Sequence, residues 1–378
     1  METYYLTSKC CLKHLETPCV YDVVKDELYE VDDAAFEFLK ACSTGNGATG
    51  GDSGFISYCV EEGILTSTPV SIARPPVNPA PQPSLRYLEL QLTAMCNLQC
   101  RHCYIGAPEQ VSLPLDAVTG ILTEFESMQG LRLLLTGGEP LMYPDFAELN
   151  RRLPMFAMRK VLLTNGILLN DGLLQGLNVD EIQISIDGLE PGHDAIRGPG
   201  TYKKAVMALE RARHIGFDVS VATTIHSKNI GEFAAMEKMF INMDIKDWTV
   251  DVPVTMGNLL RNESLVVPPD IAGKLLSYGF GGGLHGDSSD GAWACGLHLM
   301  SVGADGGISK CLYYAGEPVG SIKDGLQTCW SRIEPLPIGR LKCDCSMRET
   351  CRGGCRYRAA ALGDPLGKDL FKCHSLLY

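Results

Sequence analysis

The chain has 378 residues, 45% hydrophobic and 21% charged, which is ordinary for a folded globular protein longer than one typical domain. Its formal net charge of −12 disfavours nucleic acid as the main partner, because binding the phosphate backbone depends on Lys and Arg. No stretch approaches the roughly eighteen apolar residues of a membrane span, and Met1-Glu2-Thr3-Tyr4-Tyr5 lacks the basic-then-apolar opening of a secretory signal. The expectation is a cytoplasmic protein acting on small molecules or polypeptides, with no nucleic acid and no membrane, in which sixteen cysteines read as metal ligands before disulfides.

Residues 19–24 and 28–31 read as two short strands around the polar turn Lys25-Asp26-Glu27. A helix is expected from Asp32, with Asp32 or Asp33 as cap and Phe36 and Leu39 on one face, ending in the Gly-rich stretch 45–54. A second helix is expected over residues 55–62, with Ile56, Cys59 and Val60 on one side. Hairpin, helix, turn and helix are compatible with a winged helix-turn-helix, whose ordinary use is DNA binding. Between Tyr21 and Thr66, however, ten acidic residues face only Lys25 and Lys40, which argues against a phosphate-contacting surface. Pro69, Pro75, Pro76, Pro79, Pro81 and Pro83 then predict an extended connector over residues 69–85, separating a module of residues 1–68.

From residue 87 to 253 strands and helices alternate. Strands are expected at 88–92, 131–135, 161–163, 182–186, 219–223 and 248–252, with amphipathic helices such as 115–128 and 202–215 between them. Six such units over residues 86–260 predict an α/β fold, a partial TIM-like barrel of six β/α units whose sites gather at the carboxyl ends of its strands. Four conspicuous segments fall at those ends: Cys96 to Cys103, Gly137-Gly138-Glu139-Pro140, Thr164-Asn165-Gly166, and Ser185 with Asp187 and Gly188.

Cys96, Cys100 and Cys103 supply three thiolates where four would close a metal site, so one position stays open for a non-protein ligand. The alternative is a structural zinc loop, which usually adds a second cysteine pair nearby; here, beyond His102 within the loop, the next Cys or His is His193. The C-x3-C-x2-C spacing followed by Gly137-Gly138-Glu139-Pro140 resembles the radical S-adenosylmethionine (radical SAM) enzymes. That resemblance implies a [4Fe-4S] cluster whose open iron chelates SAM, and reductive cleavage of SAM to a 5'-deoxyadenosyl radical that abstracts hydrogen from substrate. It also implies that Gly137, Gly138, Glu139 and Pro140 receive the methionine ammonium, and that the His102 backbone meets the adenine. Arg197 would pair with the SAM carboxylate, or else form a surface ion pair. Ser185 would contact the ribose or carboxylate, or else be satisfied within the sheet, and Asn165 would shape a turn beside the cofactor.

After a connector of residues 261–290, eight cysteines crowd the remaining 88 residues, 291–378. Cys295, Gly306 and Cys311, then Cys343, Cys345, Cys351, Cys355 and Cys373, resemble the SPASM extension of radical SAM enzymes, a cysteine-rich iron-sulfur domain. The resemblance implies one auxiliary cluster on Cys295, Cys311 and Cys355, and a second on Cys343, Cys345, Cys351 and Cys373. Two departures matter. Cys343-Asp344-Cys345 has one intervening residue where that family has two, and the first set lacks a fourth cysteine, with Cys329 a spare. One or two zinc knuckles are the alternative. Cys10, Cys11, Cys19, Cys42 and Cys59 fit no cluster spacing and read as buried thiols.

The N-terminal module resembles the peptide-recognition domain related to the chaperone of pyrroloquinoline quinone biosynthesis, which takes up a leader peptide as an added strand. Together these resemblances imply an oxidoreductase-type maturase of ribosomally synthesised peptides, installing a crosslink or other modification. Its partners would be a precursor peptide and an external electron donor such as flavodoxin or ferredoxin. A sulfatase-type maturase is the alternative enzyme, against which Leu312 stands where that group's acidic residue is expected. An iron-sulfur redox sensor with a DNA-binding winged helix is the alternative from another class.

Overall fold

A computed structural model of the chain describes residues 2–281 and 293–376. Residues 282–290 of the expected connector, and 291, 292, 377 and 378 of the expected C-terminal domain, lie outside the described residues.

The N-terminal module carries strands β1 (Thr3–Leu6), β2 (Cys10–His14), β3 (Pro18–Asp22), β4 (Glu27–Glu30), β5 (Ala48–Thr49) and β6 (Leu65–Thr66). Helix α1 (Asp33–Cys42) starts where Asp32 Oδ1 accepts the Ala35 N–H at 2.8 Å, and α2 (Ser53–Glu61) where Asp52 Oδ1 accepts the Phe55 N–H at 2.7 Å. β1 lies between β5 and β6, while β2, β3 and β4 form a second antiparallel sheet. Leu6, Val20, Leu39, Cys59 and Ile64 close the space between sheets and helices. The proline-rich segment that follows is strapped to this module: Arg74 donates to the carbonyls of Leu6, Thr7 and Cys10, and the Ala80 N–H to His14 O at 2.8 Å.

Six parallel strands come next: β7 (Tyr87–Gln91), β8 (Arg132–Thr136), β9 (Arg159–Thr164), β10 (Glu181–Ser185), β11 (Asp218–Thr224) and β12 (Asp247–Asp251). The crossovers carry α3 (Leu115–Ser127), α4 (Phe146–Arg152), α5 (Asp171–Gln175), α6 (Glu190–Arg197), α7 (Thr201–Ile215) and α8 (Phe233–Asn242), and α9 (Pro269–Leu275) follows the last strand. Alternation along β7 sends Leu88 and Leu90 into the core shared with Leu122 and Phe125 of α3, and turns Glu89 and Gln91 to the opposite, interior face. Each fully buried leucine contributes roughly 1.5–3 kcal/mol, so this outer core, not the polar interior, holds the barrel together.

The sheet continues past its first barrel strand. β13 (Leu299–Val302) pairs in parallel with β7, and β14 (Gly307–Ser309) and β15 (Gly320–Ser321) extend it antiparallel, giving the order β12-β11-β10-β9-β8-β7-β13-β14-β15. Gly306 turns β13 into β14 with φ +84°, a left-handed conformation that favours glycine. Four short helices follow: α10 (Leu326–Ser331), α11 (Arg348–Cys351), α12 (Arg356–Ala361) and α13 (Leu370–Ser375). α13 packs so closely on α9 that a Cβ at Gly273 would stand 2.3 Å from that of His374.

The N-terminal module meets the barrel at the amino ends of its strands. Lys13 Nζ donates to the carbonyls of Gly130 and Ala157 at 2.9 and 3.0 Å, just before β8 and β9. Arg159, 1% exposed, donates to Val23 and Val24 carbonyls at 2.9 Å and pairs with Glu181 and Asp218 at 3.0 and 2.7 Å. A charge this deeply buried needs all of those partners.

Candidate functional site

At the carboxyl end of β7 the chain turns into the loop carrying Cys96, Cys100 and Cys103. Cys100 is buried and its neighbours half-buried, and each thiol lies within electrostatic reach of the others. Burial pushes the Cys100 thiol up to about 11 and raises Cys96 as well, so these two thiols stay protonated until a metal displaces the proton. The Leu98 N–H points at Cys96 Sγ from 3.4 Å. Asn258 fastens the loop from below, its side chain donating to Cys100 O at 2.9 Å and its N–H to Cys103 O at 2.9 Å.

The segment after β8 packs directly on this loop. Gly138 N–H donates to Thr93 O and Glu139 N–H to Met95 O, both at 2.8 Å. A Cβ on Gly138 would stand 2.4 Å from Met95 O, and one on Gly137 2.7 Å from Thr93 O, so the glycines are required by backbone against backbone. Glu139 is wholly buried and its carboxylate accepts from Thr164 Oγ1 at 2.7 Å, Asn165 N at 2.9 Å and Leu141 N at 3.3 Å. Burial pushes that carboxyl up and those bonds oppose the rise. Buried Pro140 opens a short 3-10 turn. Asn165 Nδ2 reaches Asn97 Oδ1 at 2.7 Å, tying the end of β9 to the cysteine loop.

Beyond β10 lies a buried charged group that sequence reasoning touched without resolving. Asp187 accepts from Arg197 Nε at 2.6 Å and from the Thr224 N–H at 2.7 Å, with His102 Nε2 3.4 Å away. Burial works against the Asp187 carboxylate, yet Arg197 and the histidines hold it well below the usual range. His102 is pushed down to about 4, chiefly by burial, and its Nδ1 is buried without a partner. Arg197, expected to face SAM or solvent, thus already has a carboxylate partner inside the protein. Ser185 stands at the end of β10 with no hydrogen-bond partner for its hydroxyl among the described residues.

Residues 90–240 match the Radical SAM superfamily. They form a radical SAM domain. Among curated relatives, the AdoMet-dependent heme synthase of Methanosarcina barkeri is 34% identical over 155 residues, 39% of this chain and 44% of that protein. The mycofactocin maturase MftC of Mycobacterium ulcerans is 33% identical over 159 residues, 39% of this chain and 43% of that one. The chain therefore spans about half the length of the curated relatives it matches. Solved structures extend the likeness of fold. Streptococcus suis SuiB bound to its precursor peptide SuiA superposes over 97% of this chain and 98% of that one, with TM-score 0.68 at 14% identity. Native anSMEcpe with AdoMet and a Cp18Cys peptide covers 77% of this chain and 94% of its own, with TM-score 0.56 at 18% identity. Membership of the domain in this superfamily implies a [4Fe-4S] cluster and SAM, and no described helix is long and apolar enough to cross a membrane.

In the C-terminal segment the cysteines fall into groups. Cys295, Cys311 and Cys355 lie within electrostatic reach of one another, and Cys373 within reach of Cys345 and Cys351. Cys343 packs instead in an apolar cluster with Ala294, Ile338 and Leu341. Backbone N–H groups two residues on point at Cys345 Sγ and Cys351 Sγ from 3.4 and 3.3 Å, the arrangement already seen at Cys96. Such donors suit thiolates that carry iron. Cys329 is wholly buried against the core, and its Sγ approaches Ser321 O at 3.7 Å.

Two further residues belong to this interior and had no sequence signal beyond alternation. Glu89 accepts the Leu312 N–H at 3.1 Å, and burial raises its carboxyl to about 7. Arg358 on α12 pairs with Asp251 at the end of β12 and with Asp369 at 2.8 Å, binding the cysteine-rich segment to the barrel rim.

Proposed function

We propose that the chain is a radical SAM maturase that modifies a ribosomally synthesised peptide. The reading rests on one combination: a three-cysteine loop at the carboxyl ends of the barrel strands, and, on the same chain, an antiparallel sheet with a free edge beside a groove. That groove, about 450 Å³, runs between β4 and the two N-terminal helices and is lined by Tyr29, Val31, Ala35, Leu39, Phe55 and Tyr58. β4 pairs only with β3 among the described strands, so its other edge offers unpaired backbone groups to an extended segment.

Cys96, Cys100 and Cys103 would hold the SAM-binding cluster, a set of three thiols, with the Leu98 N–H directed at Cys96, that fits iron. When bound, cluster and SAM supply the 5'-deoxyadenosyl radical that abstracts a hydrogen atom from the peptide. The Gly137-to-Pro140 segment and Asn165 fix the loop's position, and Ser185 presents a free hydroxyl to the cofactor. Arg197 offers guanidinium N–H groups beyond the one engaged by Asp187, which supports a contact to the SAM carboxylate. His102 keeps a neutral ring against Asp187 and leaves its backbone for the adenine. Cys295, Cys311 and Cys355 would hold one auxiliary cluster, and Cys345, Cys351 and Cys373 a second, with Cys343 the least suited of its expected ligands. An external donor such as flavodoxin or ferredoxin would supply the electron, in the cytoplasm.

The experiment is anaerobic reconstitution with iron, sulfide, reductant and SAM, followed by addition of short peptides encoded beside the gene. Formation of 5'-deoxyadenosine and a peptide mass change dependent on SAM are expected. No 5'-deoxyadenosine from fully iron-loaded protein would overturn the reading.

A further inference from the structure

Between the Cys96 to Cys103 loop and the Cys295, Cys311 and Cys355 group lies a run of tyrosines, with Glu89 within electrostatic reach of Tyr104 and the Arg358-paired Asp251 within reach of Tyr313. Tyr104 meets Tyr313 edge to face with ring centroids 5.8 Å apart, and Tyr357 lies 5.9 Å from Tyr313 and 5.2 Å from Tyr314. No phenol of this group has a hydrogen-bond partner among the described residues, and each of these tyrosines is half-buried. Glu89 projects into the same space from β7, and its charge reaches Tyr104 and Cys311.

Glu89 is the anomaly. It is half-buried, accepts one hydrogen bond, from the Leu312 N–H, and has no Lys, Arg or His paired with it among the described residues. The wholly buried carboxylates of this end each have compensating partners: Asp187 has Arg197, Asp369 has Arg358, and Glu139 has three donors. A half-buried carboxylate with so little compensation still carries a desolvation cost, and that cost is relieved when a cation arrives from outside. Aromatic faces around it favour the same visitor, because a ring's quadrupole attracts an ammonium or guanidinium once water is excluded.

We propose that Glu89, Tyr104 and Tyr313 form a subsite for a cationic side chain of the substrate, an ammonium or guanidinium as in Lys or Arg. The inference rests on the peptide-maturase reading and names a chemical requirement of its substrate. The side chain's charge pairs with the free oxygen of Glu89, its methylenes lie along Tyr104 and Tyr313, and its backbone is thereby held between the two cysteine groups. SAM is also a cation, but its ammonium is expected at the Gly137-to-Pro140 segment after β8, so SAM affinity serves as the control.

The test uses the full chain, iron-loaded and with SAM present, and two acetylated, amidated pentapeptides, Ala-Ala-Lys-Ala-Ala and its norleucine counterpart, with binding followed by ligand-detected NMR. The lysine peptide is expected to bind at least about tenfold tighter than the uncharged isostere, and Glu89→Gln to abolish that preference while iron content and SAM affinity hold. Equal affinity for the two peptides, no binding of either, or a preference that survives in a loaded Glu89→Gln protein would overturn the subsite. The comparison within wild-type protein stands even if the variant fails to load. Failure of the maturase reading is read separately, as absence of 5'-deoxyadenosine.

Discussion

Arg197 Nε stands 2.6 Å from Asp187 Oδ2 in a pair almost closed to solvent, so the guanidinium beside the cofactor region is held by the fold before any ligand arrives. Removing the carboxylate leaves a buried charge without its partner. Asp187→Ala is expected to cost roughly 3–5 kcal/mol of stability, and the double change with Arg197→Met to recover much of it. Urea denaturation of wild type and both variants measures this. A double variant as unstable as Asp187→Ala would refute the pairing as the cause.

Gly138→Ala places a methyl group 2.4 Å from Met95 O and 2.8 Å from Ala94 O, neither of which can yield without moving the cysteine loop. The expected result is loss of most iron bound at Cys96, Cys100 and Cys103, together with a destabilisation of about 2 kcal/mol. Iron content per chain in a protein whose C-terminal cysteines are replaced by serine isolates that loop.

The C-terminal cysteines divide by geometry. Replacing Cys345, Cys351 or Cys373 is expected to lower iron content by about one four-iron cluster. Cys343→Ala, inside the apolar cluster with Ile338 and Leu341, should instead cost about 1 kcal/mol of packing and little iron. Iron and sulfide analysis with spin quantification decides between them.

Much of this was legible beforehand, and the reasons differ by element. The barrel strands carry short runs or alternations of Leu, Ile and Val, with Trp248 and Val250 in the last, so periodicity placed them within about two residues. Asp32 announced α1, but α2 starts at Ser53, inside what read as a Gly-rich stop, because Asp52 caps it. β1 and β2 went unread because Tyr4, Tyr5, Cys10 and Cys11 give no clean alternation, and their pairing partners lie far along the chain. The parallel pairing of β13 with β7 joins residues more than two hundred positions apart, a contact that no local pattern encodes. In the site, cysteine spacing was visible and charge compensation was not. The unpaired state of Glu89 and the partner of Arg197 depend on which residues the fold brings alongside.

Glu16 links the N-terminal module to the start of β7. Burial pushes its carboxyl up, but hydrogen bonds from the Ser84 N–H at 2.7 Å and Arg86 Nη2 at 2.7 Å outweigh that and hold it at about 2. A depressed folded value means that the contribution is complete above the unfolded value of roughly 4.3 and fades as pH falls towards 2. Because the side chain is partly exposed, about 1 kcal/mol is the expected size after solvent screening. The melting-temperature gap between wild type and Glu16→Gln should therefore be constant from pH 8 to 6 and shrink between pH 4.5 and 2.5. A gap that widens on acidification would contradict this sign.

Filling the groove beside β4 tests peptide capture apart from chemistry. Ala35→Trp is expected to weaken leader binding at least tenfold while 5'-deoxyadenosine formation without peptide continues, as read by fluorescence anisotropy and chromatography.

Lys13, Asp26 and Arg159 anchor the β2-β3-β4 sheet at the amino ends of the barrel strands, whereas the three-cysteine loop opens at their carboxyl ends. The strands between are five to seven residues long, a height of roughly 17–23 Å. On the proposed reading, a leader held along β4 would have to pass round the outside of the barrel before any of its residues could enter. At about 3.3 Å per extended residue, that detour takes on the order of ten residues or more. Peptide capture there would make the architecture a molecular ruler, setting a minimum spacing between the segment held and the residue altered.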